Sequence, residues 1–226
     1  MRFRKHGTGR TLAPHVTLRR IRIERRLVPG MNKSQLPDRI VTARAVVRKA
    51  VPEDLPALAA WPDYPAPYRE FSLSMDKARS TDGPCWWERI DWPDRCHYSV
   101  VDPEGAGIVG VLALVRIDWS VPAAGNMGVR IHPDFCDRGY GSETLGALLE
   151  AALDAGMRSI RLDVSPVNPR AIRCYHKCGM RKVDEFWRTV HPPDDPNDPG
   201  WMKAKPYLRR KDDGWEAQFD WMEIRR

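Results

Sequence analysis

Residues 132–157, "HPDFCDRGYGSETLGALLEAALDAGM", place two glycines one residue apart directly before an amphipathic segment. The apolar residues there recur at i, i+3, i+4, i+7 and i+8, which predicts a helix over residues 142–155 with one apolar stripe. The stripe consists of Leu145, Leu148, Leu149, Ala152 and Leu153. Gly156 follows at the position where glycines commonly end helices. The stretch therefore predicts a helix that begins at two glycines, where no side chains cover the backbone.

The segment "DRGYGS", residues 137–142, is a candidate anion site, because the first turn of a helix presents unpaired N–H groups and a partial positive charge. Glycines there let the backbone approach a ligand such as a pyrophosphate closely. The alternative is a tight turn that requires a positive φ. Two other phosphate motifs are excluded, since the chain has no GxxxxGK[ST] loop and Gly139, Gly141 and Thr144 do not fit GxGxxG.

The charge of the chain is unevenly distributed. The 226 residues carry a net charge of +7, but residues 1–30 hold nine Lys or Arg and one acid, so the remainder is near neutral. A near-neutral body argues against a DNA-binding domain. No apolar run is long enough to span a membrane, and the basic start lacks a secretory apolar region. Five cysteines without a CxxC motif then predict reduced thiols and a cytoplasmic location.

The composition predicts two parts. Residues 1–39 are interpreted as a basic N-terminal arm, either disordered or an extension upstream of a start at Met31. An alternative role for this arm is electrostatic attachment to RNA or another anionic surface. Residues 40–226 are predicted to form one domain.

Within this domain the pattern predicts strands and helices in an order typical of a mixed sheet with helices on both faces, in the α+β or α/β class. The predicted elements, in chain order, are a strand in residues 40–51, a helix in 52–61, a hairpin in 97–118 that turns at Asp102–Gly107, a strand in 125–133, the helix 142–155, a strand in 159–166, a helix in 168–179, and closing strands in 181–190 and 215–226.

Three stretches together carry a resemblance to a known family: "VRIHPDFCDRGYGSETL", "LDVSPVNPRAIRCYHKCGM" and "TARAVVRKAVPEDLPAL". The chain resembles the GNAT superfamily of acetyl-coenzyme A-dependent N-acetyltransferases over residues 42–190, and loosely over 201–224. The second stretch is similar in particular to the ribosomal-protein and aminoglycoside acetyltransferase branches. One departure is Cys136, which stands where the family signature has Gln or Arg; Arg138 could supply the missing charge.

The resemblance implies the GNAT fold, a mostly antiparallel sheet with splayed middle strands, and direct transfer of an acetyl group from acetyl-coenzyme A to a primary amine. It implies a set of cofactor-binding residues: Val129, Arg130 and Ile131 along the acetyl and pantetheine arm, Asp137, Arg138, Gly139, Tyr140, Gly141 and Ser142 around the pyrophosphate, and Asn168. Asn168 is also explained as the N-cap of the helix that Pro169 begins.

The resemblance further implies that Tyr175 protonates the departing thiolate and that Asp163 is the general base. A phenol can return a proton to a thiolate, and an ammonium must lose one before it attacks. The alternatives are that Tyr175 is a core residue and that Asp163 forms a salt bridge with Arg161. Other candidate bases are Asp118, Asn126 with a bound water, and Glu185.

The acceptor cannot be read from the sequence. A small-molecule or peptide amine is expected, with Trp61, Trp86 and Trp87 in the segment that forms the acceptor wall in this family. No metal is expected, because His176 lies on a different helix face from Cys174 and Cys178. A homodimer would follow the habit of the family, whereas DNA and membrane partners are not expected. The alternative function is a degenerate, non-catalytic domain that only senses acyl-coenzyme A.

Overall fold

The computed structural model of the chain describes residues 31–65, 92–212 and 214–226. The predictions for residues 1–30 and for Trp86 and Trp87 lie outside the described residues. Residues 31–39, which the sequence analysis assigns to the arm, are described, and two of them pack into the core. Met31 is 5% exposed and Leu36 is 1% exposed, so the packed domain takes in these residues as well.

The described residues form nine strands and four helices. In chain order they are β1 (Arg39–Val41), β2 (Val46–Lys49), α1 (Leu55–Ala59), β3 (Arg95–Asp102), β4 (Gly107–Asp118), β5 (Ala123–Ile131), α2 (Tyr140–Asp154), β6 (Ser159–Val164), α3 (Pro169–Lys177), β7 (Arg181–Val190), α4 (Pro199–Ala204), β8 (Leu208–Lys211) and β9 (Gly214–Arg225). None of these helices is long and apolar enough to cross a membrane.

The strands form one sheet in the order β1-β2-β3-β4-β5-β6-β9-β7, with β8 paired to β9. Every pairing is antiparallel except that of β5 with β6. These two parallel strands pair only at Ala123↔Ser159 and Ala124↔Ile160, although both continue beyond that point. We call the gap that opens beyond these pairs the splay. The predicted mixed, mostly antiparallel sheet with splayed middle strands is confirmed.

Helices cover both faces of the sheet, as predicted. The apolar stripe of α2 is buried against one face, where Leu145 and Leu148 are inaccessible and pack in one cluster with Leu112 and Leu114 of β4. Each leucine buried in this way stabilises the fold by about 1.5–3 kcal/mol relative to an exposed one. We call this the core face. Helix α3 lies beside α2, since the Cys178 thiol donates to the carbonyl of Ser142.

The opposite face carries α1, and we call it the acceptor face. Leu58 and Trp61 form a separate small cluster there with Val111 of β4. Because residues that pair across strands share a face, the register places Arg130 of β5 on the acceptor face with Val111. By the same rule Asp163 of β6 shares the acceptor face with Trp221 of β9.

One local prediction differs from the structure, and two elements were not predicted. The strand predicted over residues 40–51 is a hairpin of β1 and β2, because the chain reverses where the Thr42 amide and hydroxyl both donate to the carbonyl of Ala45 at 2.9 Å. Helix α4 and strand β8 were not predicted. Asp198 caps α4 by accepting a hydrogen bond from the Trp201 amide at 2.8 Å.

Candidate active site

The backbone of β5 presents unpaired groups to the splay. The amide of His132 donates to Val109 of β4 at 2.8 Å, so the even-numbered residues of β5 point their backbone groups toward β4. The odd-numbered residues Met127, Val129 and Ile131 therefore point theirs toward the splay, where β6 no longer pairs with β5. This edge can accept an extended ligand in the way a sheet edge accepts another strand.

Side chains form hydrogen bonds with one backbone group in each of two of these three residues. Asn126 Oδ1 accepts from the Met127 amide at 2.7 Å, and the Tyr64 hydroxyl donates to the carbonyl of Ile131. Neither the amide nor the carbonyl of Val129 has a partner among the described residues. Val129 is therefore the residue of this edge whose donor and acceptor both remain open to a ligand.

The segment of residues 137–142, which we call the cradle, leads into α2 with its amides open. Gly139 is the N-cap and has a φ of +90°, yet no side chain caps the helix. The first amide of α2 with a backbone acceptor is that of Glu143, which donates to Gly139 at 3.1 Å. Ser142 Oγ donates to the carbonyl of Gly139 at 3.3 Å, so it leaves the amides untouched. Open amides at the start of a helix are groups that can hold an anion.

The two glycines of the cradle have different roles. Gly139 is explained by its positive φ, as the turn alternative proposed. Gly141 is not, because its φ is not in the left-handed region and a Cβ there would lie 3.5 Å from Ile131 and 3.6 Å from Cys174, an ordinary contact distance. A side chain at residue 141 would point into the core, so a longer one would wedge apart α2, α3 and β5 rather than block a ligand directly.

Arginines neutralise the acids beside the cradle. The Glu143 carboxylate accepts from the Arg44 amide at 2.7 Å and pairs with the Arg44 guanidinium. Burial opposes ionisation of Glu143, but hydrogen bonds from Thr42 and Arg44 outweigh it and lower the pKa of this carboxyl. Arg170 lies 3.9 Å from the carboxylate of Asp137. Arg138 adds a third guanidinium within the cradle itself.

Asn168 and Tyr175 are both placed by α3. Asn168 caps this helix, and its Oδ1 accepts from the Ala171 amide at 3.1 Å. Its side-chain NH₂ group is not used by that cap, so the two predicted roles are compatible. Tyr175 is 8% exposed, and its hydroxyl has no hydrogen-bond partner among the described residues. Burial, with smaller contributions from Cys174 and Asp163, raises the pKa of Tyr175, so this phenol is neutral and carries its proton.

Asp163 has partners that the sequence did not indicate. Its Oδ1 accepts from Asn126 Nδ2 at 2.9 Å, across the splay, and its Oδ2 accepts from Arg188 Nη2 at 2.8 Å. The alternative of a salt bridge with Arg161 is wrong, because Arg161 pairs with Glu223 at 2.8 Å. Each Asp163 oxygen retains a lone pair, so the carboxylate can still take a hydrogen bond from a ligand.

Two of the rival bases lie elsewhere. Asp118 accepts from the amide and hydroxyl of Ser120, at 2.9 and 2.6 Å, in the β4–β5 turn at the closed end of the splay. Glu185 pairs in register with Asp220, which places it on the core-face side, opposite to Asp163. Asn126, the third rival, does lie at the splay.

The wall near α1 contains Trp61 and Arg130, which the sequence analysis named, and Tyr64 and Arg170, which it missed. The guanidinium of Arg130 lies over the rings of Trp61 and Tyr64, with centroid distances of 5.7 and 5.3 Å. Arg170 of α3 contacts the same Tyr64 ring at 5.4 Å. Tyr64 lies in the Pro-rich stretch "WPDYPAP", which carries no periodic signal. Arg188 was missed because its partner Asp163 lies 25 residues away on another strand.

The geometry supports neither a nucleophilic role for Cys136 nor a metal site among the described residues. The Cys136 thiol lies 3.7 and 3.6 Å from the carbonyls of Ile131 and His132. Burial raises the pKa of this thiol, which keeps it protonated and a poor nucleophile. In the described ranges, no group of three or more His, Cys, Asp and Glu side chains is arranged to hold a metal ion.

Comparison with known proteins gives a family and a fold. A family model described as an acetyltransferase (GNAT) domain matches residues 44–181. The spermidine N-acetyltransferase of Vibrio cholerae in complex with CoA and spermine is a similar solved structure, with a TM-score of 0.57 at 15% identity, covering 81% of this chain and 96% of that one. A chimera of the Vibrio cholerae enzyme SpeG and hSSAT matches with a TM-score of 0.56 at 16% identity over the same shares. No curated protein sequence matches the chain.

Proposed function

The chain belongs to the GNAT family of acetyltransferases, and on that premise we propose that it carries an acetyl group from acetyl-coenzyme A to a small-molecule primary amine at the splay. The observation that carries this proposal is that the chain has two sets of backbone groups without partners among the described residues. One is Val129 on the β5 edge, and the other is the uncapped amides of the cradle, residues 137–142. A β-strand edge and a helix start of this kind fit the two polar parts of coenzyme A, its pantetheine amides and its pyrophosphate.

In this proposal the chain holds the cofactor mainly by its backbone. The Val129 carbonyl and the Ile131 amide hydrogen-bond the pantetheine arm along the edge of β5, whereas the backbone groups of Arg130 point toward β4, so the predicted backbone contact of Arg130 with the arm is dropped. The amides of Asp137, Arg138, Gly139, Tyr140, Gly141 and Ser142 surround the pyrophosphate. The Asn168 amide group adds a side-chain donor at the start of α3. The bound cofactor supplies the acetyl thioester.

The transfer step needs three contributions from the chain. The amine nitrogen bonds to the thioester carbonyl carbon, and the Val129 amide stabilises the negative charge that develops on the carbonyl oxygen. Asp163, or a water that it and Asn126 hold, accepts the proton that the ammonium loses. The carbon–sulfur bond then breaks, and Tyr175 gives its proton to the departing thiolate. Burial keeps Tyr175 protonated, so it is in the correct form for this role.

Support for a small-molecule acceptor comes from the similar solved structures, which are those of spermidine N-acetyltransferases. We also propose a cytoplasmic location, which the free thiols of Cys96, Cys136, Cys174 and Cys178 support. Association into homodimers and the absence of DNA and membrane partners stay predictions from the sequence. The alternative of a non-catalytic sensor depends on Cys136, and nothing in the geometry of that thiol favours it.

The proposal is tested by calorimetry with coenzyme A, followed by an assay of thiol release with acetyl-coenzyme A and a panel of amines. An acetyltransferase binds coenzyme A and releases thiol only when an acceptor is present. A protein that binds coenzyme A but releases no thiol with any amine of the panel would be a sensor.

A further inference from the structure

Aromatic side chains line the acceptor face beyond the splay. The Phe186 ring of β7 stacks on Phe219 and Trp221 of β9, with ring centroids 5.8 and 4.9 Å apart and interplanar angles of 28° and 25°. The register places Asp163 opposite Trp221 on the same face. At the far end, Trp201 of α4 packs edge-on against Trp215 at 5.6 Å. A cluster of aromatic side chains therefore lies directly beside the candidate base.

Arg188 connects this surface to Asp163. Its guanidinium lies 4.2 Å above the Phe219 ring, and its Nη2 donates to Asp163 at 2.8 Å. The side chain is nevertheless 47% exposed. One of its five N–H donors is used in that bond, so the others can take a carboxylate in the bidentate geometry that arginine favours. Stacking on an aromatic ring holds the guanidinium flat and ready for that contact.

Asp163 and Arg188 together present one negative and one positive charge side by side. Asp163 is 14% exposed, so both members of the pair reach the surface. A molecule with an ammonium and a carboxylate on the same carbon has charges at a similar spacing. Such a molecule matches the pair, with its ammonium on Asp163 and its carboxylate on Arg188.

We infer that the acceptor is an α-amino acid with a flat apolar side chain, whose carboxylate binds Arg188 and whose side chain packs beside the aromatic cluster of Phe186, Phe219 and Trp221. This inference depends on the proposed function, because it assigns the acceptor of that same site. It separates the chain from the polyamine acetyltransferases that it resembles in fold. A polyamine carries several positive charges and no anion, so it has no group that the Arg188 guanidinium could bind.

The test compares kcat/KM for L-tryptophan, L-phenylalanine, their primary amides and spermidine, with coenzyme A binding measured in parallel. The amides keep the amine and the ring but remove the negative charge. We expect the acids to exceed both the amides and spermidine by about 10- to 100-fold, the range of a hydrogen bond to a charged group. Amides or spermidine that react as well as the acids would overturn the inference and leave the proposed function intact.

Variants of Arg188 test whether this residue recognises the carboxylate. Arg188→Met should reduce the acid-to-amide ratio of kcat/KM to about 1, and Arg188→Lys should restore part of it. The matched control is Arg209→Met, because Arg209 is also 47% exposed, lies 4.1 Å over the Trp187 ring and pairs with Glu216 on the opposite face. A loss of stability or folding would change acids and amides alike, whereas the ratio reports carboxylate recognition.

The remaining outcomes are distinct. A ratio that stays high in Arg188→Met would contradict the role of Arg188. A protein that binds coenzyme A and acetylates spermidine but neither amino acid would overturn the inference alone. A protein that does not bind coenzyme A would overturn the inference together with the proposed function.

Discussion

Asn126 of β5 and Asp163 of β6 are joined by a hydrogen bond of 2.9 Å across the splay, beyond the last backbone pair of their strands. A side-chain hydrogen bond therefore links the two strands where they no longer form backbone hydrogen bonds. The same Asn126 accepts from the Met127 amide at 2.7 Å. The Asn126 side chain therefore positions Asp163 and also occupies one of the β5 amides that face the gap. The gap is thus stabilised by specific side-chain contacts.

The first prediction concerns the proton donor. Tyr175→Phe removes the hydroxyl but keeps the buried ring, so kcat should fall by roughly 100-fold, a value typical of general acid catalysis. Coenzyme A affinity should change by less than about threefold. The measurement is steady-state thiol release beside calorimetry with coenzyme A. An unchanged kcat would show that another group, or water, protonates the thiolate.

The second prediction concerns the base. Asp163→Asn keeps the size of the side chain but removes the proton acceptor, so kcat/KM should fall by about 100-fold near pH 7. Part of the loss should return as the pH rises, because a neutral amine needs no base. Glu185→Gln is the control and should have little effect, since Glu185 is on the other side of the sheet. Equal losses in the two variants would remove Asp163 from the mechanism.

The third prediction separates the cradle from the general cost of a positive φ. Gly139→Ala and Gly105→Ala both place a side chain in the left-handed region, at φ values of +90° and +103°. Each should destabilise the fold by about 1 kcal/mol, measured by urea unfolding. Only Gly139→Ala should weaken coenzyme A binding, because Gly105 lies in the β3–β4 turn. If both variants bind coenzyme A as the native chain does, the cradle is not the pyrophosphate site.

The fourth prediction is a pH dependence of stability that is independent of the active site. Asp54 accepts from Arg48 at 2.6 and 2.8 Å and from Ser99 at 2.6 Å. Burial opposes ionisation, but the hydrogen bonds from Arg48 and Ser99 outweigh it and lower the pKa of Asp54. A lowered pKa in the folded state gives stability that is present above the unfolded pKa, near 3.9, and is lost as the pH falls through the folded pKa.

Asp54→Asn should therefore destabilise the native state by about 2–3 kcal/mol at pH 7, and the difference from the native chain should shrink as the pH approaches 2. Urea unfolding at several pH values measures it. A difference that is constant with pH would mean that the ion pair between Arg48 and Asp54 contributes nothing beyond packing.

The parts of the fold that the sequence predicted are those with local signals. Helices α2 and α3 have apolar periodicity and capping residues within a few positions of one another, so the Asn168 cap and the positive φ of Gly156 and Gly179 follow from short-range chemistry. The β1–β2 hairpin was missed because Thr42 forms a turn in a run of strand-favouring residues, and no glycine or proline marks it.

The candidate site was predicted less completely, because its contacts are long-range. The cradle is one continuous segment, so its open amides and the positive φ of Gly139 follow from local sequence. The Asp163 partners come from β5 and β7, 37 and 25 residues away, and Tyr64 reaches Ile131 across 67 residues. Only the register of the sheet brings these residues together, and a single sequence does not contain that register.

The central claim is that open backbone amides on β5 and in the cradle bind coenzyme A. Hydrogen–deuterium exchange with and without acetyl-coenzyme A tests this most directly. We expect exchange to slow in peptides that cover residues 127–142, while peptides of the β1–β2 hairpin stay unchanged as the internal control. Binding that leaves residues 127–142 unprotected, or that protects another part of the chain instead, would contradict the account.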